Sequence, residues 1–567
     1  MRKINLTLVA LSATIFANAQ SLQDAITKTE NERFEAAAAD FRALLAKDAT
    51  KGDVYFYDGE NFFKNENLDS ALIMYKKGTE VQPTNALNYI GVGKVLLWQG
   101  KDQDGNASLF KGKTLGAKNA TAFMKLAEVY ITAPAMSKNL TEANKLLTDA
   151  LKWEPKNPEA HILMGDNLLE QNPTEGGGPI KEYEKALELN PKSPKGDLRV
   201  GKLYSRARNY NLALDYYKKA IAIDPTFAPA YREIAEIYHL AAQESKALEN
   251  IKKYLELNNG SLSAHKRYAS FMFLNKQYVD AIKEMEEIVK KDPNDCYMWR
   301  LLGYAYYEMG NATDKDAYTK GLEDINKFFT CAGTKSNFKF LPEDYKYKGL
   351  LMGKNGQDSL GAAEIEKAIA ADPAKNCEMY GEIGKMFAKS KKWDKVVMYY
   401  EKKAACPNSK GLTGADDFDE GRAYFYLGGA KEKEASEQKD AAAKSKKEAE
   451  ALELFVKADT MMARLTQLSP SFTTAYFFRG NVNVHLDLKN EKWLAKPHFE
   501  KAMSLVKPEE RALPANKNYV MTACEYLGYY YLKNKDNAKA KEYFTILKEL
   551  DPNNKKAIDF FKSPEGK

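Results

Sequence analysis

The chain has 567 residues, of which 44% are hydrophobic and 29% are charged, a balance that is ordinary for a soluble protein. Its 85 basic and 78 acidic residues give a formal net charge of only +7 at pH 7, which argues against a nucleic-acid-binding protein. Strand-like alternation of polar and apolar residues is absent, so a β-rich fold is not expected.

The first residues have the composition of an export signal. Arg2 and Lys3 precede an apolar run from Ile4 to Phe16, and the small residues Ala17 and Ala19 follow. This pattern predicts a secretory signal peptide over residues 1–19, cleaved before Gln20, and the run is too short for a permanent membrane span. Cleavage removes two cations and lowers the formal charge from +7 to +5.

The Ala-Asn-Ala-Gln ending of this signal resembles those of exported proteins of the Bacteroidota, which implies a periplasmic location for the mature chain. No cysteine follows the apolar run, so acylation as a lipoprotein is not expected. We also expect no second spanning segment and no β-rich C-terminal sorting domain.

Prolines recur along the chain with a period near 34 residues. Pro191 and Pro225 are 34 residues apart, and two further steps of 34 lead to Pro293. Upstream, Pro83 and Pro155 are separated by 72 residues, or two steps of 36. Because proline cannot continue the hydrogen-bond ladder of a helix, each of these residues predicts a helix end. Later members of the series are Pro373, Pro407, Pro470, Pro508 and Pro552.

Small and aromatic residues keep the same register within these units. In the unit that ends at Pro225, Gly201 lies on the first predicted helix, and Ala213 and Tyr217 lie on the second. Small residues let paired helices approach closely, and aromatic rings fill the space that is left. Equivalent residues in other units are Gly59, Ala71, Tyr75, Gly528, Ala540 and Phe544.

A 34-residue period of helix pairs with these packing residues resembles the tetratricopeptide repeat. The resemblance covers nearly all of the mature chain and implies an all-α fold, a right-handed α-solenoid of about 13 helix-turn-helix units. After the signal peptide we expect an N-terminal array over residues 20–300, irregular units with an extended linker over 301–407, a unit with elongated charged helices over 408–470 and C-terminal units over 471–567.

Three stretches break the period. Residues 172–179 contain three glycines and are expected to lengthen a hairpin turn as a flexible loop. Residues 310–347 are expected to form an extended linker between repeats. Residues 428–455 combine Lys, Glu and Ala with few large apolar side chains, which favours elongated helices that project from the solenoid. Whether these helices dock a partner or are only solvated stays open.

Five cysteines in an exported chain leave at least one unpaired. In each of two pairs, one cysteine falls at the start of a unit's first helix and the other at the end of its second helix. These ends are neighbours in a helix hairpin, which predicts Cys296–Cys331 and Cys377–Cys406 disulfides and a buried thiol at Cys524. The alternative is that all are small apolar residues packed at helix ends. Without Cys-x-x-Cys or clustered histidines, we expect neither metal nor cofactor.

Basic residues recur on the first helices, which line the concave side of such a solenoid. Arg232, Lys266 and Arg300 are 34 residues apart and lie three residues before the small position, as does Lys346. A ladder of cations suits an extended acidic segment or a carboxylate-terminated peptide. The alternative is that they are ordinary solvent-facing cations. The predicted basic ladder consists of Arg199, Lys202, Arg232, Lys266, Arg267, Arg300 and Lys346.

Neither a catalytic motif nor a phosphate-binding glycine loop is found, so we do not expect an enzyme. The two-unit Lys/Asn clamp of cytosolic chaperone-binding repeat proteins is also missing, because Ile162, Asp166 and Leu198 occupy the candidate positions.

The sequence therefore predicts a periplasmic protein–protein interaction scaffold of an envelope assembly or secretion complex. Its expected partners are other envelope proteins, such as outer-membrane or secretion-machine subunits, and neither nucleic acid nor a membrane span is expected. The alternative function is a scaffold for polysaccharide export, by resemblance to the periplasmic repeat superhelices that accompany exported glycans.

Overall fold

The computed structural model describes residues 21–258, 260–334, 338–407 and 411–567, and within these ranges every regular element is a helix. The all-α solenoid of helix pairs that the sequence predicts is thereby confirmed. The predicted signal peptide and its cleavage site lie outside the described residues. The chain divides into two compact units, one ending at Leu301 and the other beginning at Leu302.

The helices of the first unit, in chain order, are α1 (Leu22–Glu30), α2 (Phe34–Lys47), α3 (Gly52–Lys64), α4 (Leu68–Val81), α5 (Ala86–Trp98), α6 (Asp102–Leu115), α7 (Ala120–Thr132), α8 (Leu140–Trp153), α9 (Pro158–Gln171), α10 (Gly177–Leu189), α11 (Pro194–Arg206), α12 (Tyr210–Ile223), α13 (Ala228–Leu240), α14 (Glu244–Leu257), α15 (Leu262–Leu274) and α16 (Tyr278–Lys291). The division between the units falls within α17 (Cys296–Met309).

The helices of the second unit are α18 (Ala317–Gly333), α19 (Pro342–Lys354), α20 (Asp358–Ala371), α21 (Pro373–Asn376), α22 (Tyr380–Lys389), α23 (Trp393–Ala404), α24 (Gly414–Ser436), α25 (Ala441–Leu468), α26 (Thr473–Leu486), α27 (Lys496–Leu505), α28 (Lys517–Lys533), α29 (Asn537–Leu550) and α30 (Lys555–Lys562). In the part of the chain that the structure covers, no helix combines the length and the apolar character that a membrane crossing needs.

Consecutive helices pack as hairpins, for example α3 with α4, α11 with α12 and α28 with α29. In each of these hairpins a glycine of the first helix faces an aromatic ring of the second. A Cβ atom on Gly201 would overlap the ring of Tyr217, and one on Gly528 would lie 2.9 Å from the ring of Phe544. The close approach that the repeat pattern predicts is therefore present in both units.

The turns inside the early hairpins share one backbone geometry. Glu32, Glu66 and Gly100 are 34 residues apart and adopt φ angles of 57°, 62° and 72°. Glycine adopts this left-handed conformation without cost, whereas Glu32 and Glu66 carry a Cβ atom there. Two acidic side chains are thus fixed at equivalent points of the first two hairpin turns.

The expected extended linker over residues 310–347 is wrong for most of its length, because α18 occupies Ala317–Gly333 and α19 begins at Pro342. This helix buries Gly321, Ile325 and Phe328, which lie three and four residues apart as on one helix face. The rings of Phe329 and Phe340 stack 4.9 Å apart beside the connection between α18 and α19. Residues 335–337 of this connection are outside the described ranges.

The long charged segment forms two helices of 23 and 28 residues, α24 and α25, which pack against each other. Their contact uses small residues and aromatic rings, since Tyr424, Gly428, Ala435, Ala451 and Phe455 are all buried. Ion pairs also link the two helices, with Lys447 Nζ 2.9 Å from a carboxylate oxygen of Glu434.

The cysteines lie at hairpin ends. Cys377 and Cys406 form a disulfide-capable pair with Cα atoms 6.1 Å apart, and Cys296 and Cys331 are also in disulfide-capable positions. Cys524 is a free thiol in the core of the last hairpins, as predicted, and burial raises its pKa to about 12.

Candidate functional site

Helices α1, α3, α7, α9, α11 and α13 of the first unit line a cavity of about 270 Å³. All of them are the first helices of their hairpins, the face on which the basic ladder is predicted. Three members of that ladder line the cavity, namely Arg199, Lys202 and Arg232. This inner face carries both signs of charge, because the lining also contains Glu30, Glu32, Glu128, Glu159 and Asp166.

Carboxylates within the first unit contact most of the predicted ladder. Arg199 Nε lies 2.9 Å from each carboxylate oxygen of Asp166, and Lys202 Nζ lies 3.1 Å from Glu233. Lys266 Nζ contacts Asp295 at 2.6 Å. The ladder is therefore part of a network of ion pairs and not a bare basic stripe.

The last two ladder residues do not line this cavity. Arg300 is a partly buried residue near the C-terminal end of the first unit. Lys346 is partly buried on α19 and belongs to the second unit. The structure thus brings Arg199, Lys202 and Arg232 around one cavity and does not gather all seven residues there.

A repeated motif of tyrosine, carboxylate and cation joins neighbouring hairpins. Tyr75 donates its hydroxyl to Glu60 at 2.5 Å, and Lys94 of the next hairpin donates to the same carboxylate at 3.1 Å. Tyr183 and Arg199 share Asp166 in the same way. The sequence reading missed these carboxylates. Their positions in the repeat are a sequence signal for them, because Glu60 and Asp166 each directly follow a packing glycine. They precede their paired cations by 34 and 33 residues, respectively.

The first hairpin turn reaches across the unit to helices much later in the chain. Arg232 Nη1 donates to both carboxylate oxygens of Glu32, at 2.6 and 2.7 Å, and Tyr254 donates its hydroxyl to Glu32 at 2.9 Å. The Asn31 amide donates to Asp224 at 2.7 Å and to Thr226 at 3.2 Å.

Glu30, which directly precedes this turn, and residues of the next turn also contact later parts of the first unit. Glu30 lies 2.9 Å from Lys195 Nζ on α11. In the second turn, Ser261 donates to Asn65 at 2.9 Å and Arg267 lies 3.6 Å from Glu66. We call these contacts of the α1–α2 and α3–α4 turns the clasp. The first unit thereby closes on itself.

Ion pairs in the clasp favour the ionised forms of Glu30 and Arg232. Burial alone would raise the pKa of Glu30, but the ammonium groups of Lys195 and Lys64 hold it well below its ordinary value. For Arg232, burial acts to lower the pKa, and the carboxylates of Glu32 and Glu233 outweigh it and raise the pKa. Breaking any one of these pairs would leave a poorly solvated charge.

A second groove, of about 480 Å³, lies on α13, α15 and the first part of α17. It contains the ladder residues Lys266 and Arg267 beside His239 and Phe271. Two apolar side chains in its lining are strongly exposed, Leu274 at 40% and Tyr297 at 47%. This groove, unlike the cavity behind the clasp, presents uncovered apolar surface next to cations.

The described part of the chain contains no group of three or more His, Cys, Asp or Glu side chains arranged to hold a metal ion. The chemistry that both sites offer is recognition of charge and of apolar side chains.

No family model matches the chain. A TPR repeat-containing protein of Methanocaldococcus jannaschii is 26% identical over 169 residues, a match that covers 27% of this chain and 27% of that protein. The chain thus matches only about a quarter of the length of this tetratricopeptide relative.

Solved structures also match the chain. The C-terminal part of a TPR repeat-containing protein from Cytophaga hutchinsonii is 28% identical, with a TM-score of 0.40, over 52% of this chain and 98% of that one. Yeast Tom70 is 13% identical, with a TM-score of 0.31, over 75% of this chain and 97% of its own. YrrB, described as a TPR protein with an unusual peptide-binding site, is 20% identical, with a TM-score of 0.21, over 34% of this chain and 95% of its own.

Proposed function

We propose that this tetratricopeptide-repeat protein is a non-enzymatic periplasmic scaffold that holds other envelope proteins in an assembly or secretion complex. The observation that carries the proposal is the open groove on α13, α15 and α17, where cations lie beside exposed apolar side chains. Polypeptide interfaces are built around such aromatic and arginine anchors, with polar groups at the rim. The periplasmic location rests on the signal-like composition of residues 1–19.

Arg267 is the cation of this groove that is best placed to meet a partner. It contacts Glu66 at 3.6 Å, and its side chain is 39% exposed. Lys266, by contrast, contacts both Asp292 and Asp295. A partner segment with an apolar side chain for Tyr297 and Leu274 and a carboxylate for Arg267 matches the groove.

Site-specific photo-crosslinking in the native cell envelope tests this function. A photoreactive residue in place of Tyr297 should capture envelope proteins, which mass spectrometry then identifies. Phe110 is the matched control, because it is 73% exposed but lies on α6, a second helix of its hairpin. Capture from position 297 alone supports the proposal, and equal capture from both positions or none from 297 contradicts it. Captured glycan-export proteins would favour the alternative role in polysaccharide export.

A further inference from the structure

We infer that the inner face of the first unit is a binding site for an acidic polypeptide segment whose two carboxylate residues are separated by one residue. The chain's own Glu30-Asn31-Glu32 occupies this site. This goes beyond the scaffold role and concerns the cavity lined by Arg199, Lys202 and Arg232, which shares no lining residue with the groove at Tyr297. The internal occupant shows which chemistry each position of the site accepts.

The first position takes a carboxylate between two ammonium groups. Glu30 lies 2.8 Å from Lys64 Nζ and 2.9 Å from Lys195 Nζ. Lys195 is a cation of α11 and belongs to the receiving side, where Glu159 also contacts it at 2.8 Å. A ligand from another chain would therefore find a cation here that is already oriented by a neighbouring hairpin.

The second position takes an amide, and the third takes a carboxylate. Asn31, only 5% exposed, donates to Asp224 and Thr226, which form the turn after α12. Glu32 receives two hydrogen bonds from Arg232 and one from Tyr254. Charged hydrogen bonds of this kind are about twice as strong as neutral ones and fix the register of a bound segment.

The internal occupant is displaceable because the contact is made mainly by polar turn atoms. The apolar core of the first hairpin, Ala25, Ala37 and Phe41 with Val54, lies within α1–α3 and is not shared with α11 or α13. Separation of the turn from Arg232 therefore leaves that core intact. While the turn is in place, its effective concentration is of millimolar order and suppresses binding of an acidic segment from another protein.

The test uses a labelled peptide with the sequence of residues 27–36, titrated against the full chain. Against the double variant Glu30→Gln/Glu32→Gln, in which the internal ligand loses both charges, the peptide should bind at least about tenfold more tightly than to the wild type. The matched control is Glu80→Gln/Glu249→Gln, which removes two exposed carboxylates outside the clasp. A peptide carrying Gln in place of Glu30 and Glu32 should not bind.

Equal affinity for the wild type, the double variant and the control, or no binding to any of them, would overturn the inference. Adding Arg232→Gln to the double variant should abolish peptide binding. Peptide binding that persists in this triple variant would also overturn the inference. If the double variant does not fold, Asn31→Ala is used instead. This variant removes only the hydrogen bonds of Asn31 to Asp224 and Thr226, so we expect a smaller gain in peptide affinity. Because the readout is peptide affinity, an empty crosslinking result at Tyr297 does not bear on it.

Discussion

Arg232 and Glu32 are joined by two hydrogen bonds of 2.6 and 2.7 Å although 200 residues separate them in the chain. Stacked repeats normally contact only their neighbours, so that stability is close to a sum over adjacent pairs. This contact adds a link between the first hairpin and α13. Opening of the first hairpin should therefore depend on residues far along the array.

Two adjacent glycines of α24 test the packing of the hairpins. A Cβ atom on Gly428 would lie 2.8 Å from the ring of Phe455, whereas one on Gly429 meets nothing within 4 Å. Gly428→Ala should lower the free energy of unfolding by about 1–3 kcal/mol through overpacking. Gly429→Ala should raise it by about 0.5–1 kcal/mol by removing backbone entropy of the unfolded chain. Urea unfolding of both variants gives the comparison, and a loss of equal size from both would contradict it.

The buried pair of Lys94 and Glu60 tests the tyrosine–carboxylate–cation motif. Both side chains are only 5% exposed, so Lys94→Met leaves a buried carboxylate with Tyr75 alone. We expect a loss of about 3–5 kcal/mol in the free energy of unfolding. The control Lys253→Met breaks an exposed pair with Glu256 and should leave the unfolding midpoint unchanged. Similar midpoints for the two variants would show that the motif does not stabilise the hairpins.

The sequence predicts these hairpins because their contacts are local and periodic. Gly59 with Tyr75 and Gly201 with Tyr217 follow from the 34-residue register. The clasp has no such register, since the curvature of the stack, and not any period, brings Glu32 to Arg232. The basic ladder follows from the spacing of cations alone, and that spacing does not predict which carboxylates, such as Asp166, pair with the cations on the same face.

The overlong linker expected over residues 310–347 has a different origin, since the cysteine pairing already places Cys331 at the end of a second helix, as it is on α18. The expected linker was inferred from a break in the proline period and from the polar stretch before Pro342. Apolar residues at helical spacing, including Ile325 and Phe328, were present and outweigh that break. The absence of a proline at the expected position therefore does not imply that a helix is absent.

Buried carboxyl groups make the second unit sensitive to pH. Burial, with the neighbouring carboxylates of Glu401 and Asp417, raises the pKa of Glu420 from 4.5 to about 7. Burial also raises the pKa of Asp417 to about 6. The folded chain binds these protons more tightly than the unfolded chain, so these groups lower stability as pH rises from about 4.5 to about 7.

Substitution of Glu420 tests this dependence. Glu420→Gln should raise the melting temperature at pH 8, where the wild type buries an ionised carboxylate, and the gain should vanish near pH 5. Thermal unfolding from pH 5 to pH 8 measures the effect, with Asp394→Asn as the exposed control. A gain that does not vary with pH would contradict the assignment.

The cysteines give a prediction for the oxidised protein. Alkylation of the unreduced, denatured chain should label Cys524 and neither Cys377 nor Cys406. Reduction should then cost about 3–4 kcal/mol for a loop of this length by the chain-entropy model. Mass spectrometry of tryptic peptides is the measurement. Labelling of Cys377 or Cys406 before reduction would show that the pair is only packed.

A double-mutant cycle on Glu32 and Arg232 tests most directly whether the first unit is closed on itself. The variants are Glu32→Gln, Arg232→Gln and the two combined, and native-state hydrogen exchange gives the local opening free energy of residues 29–36 in each. Closure predicts that each single variant lowers this free energy and that the double variant loses little more than one of them, a coupling of about 1–3 kcal/mol. Additive losses, with no coupling, would mean that the two residues do not hold the first hairpin against α13.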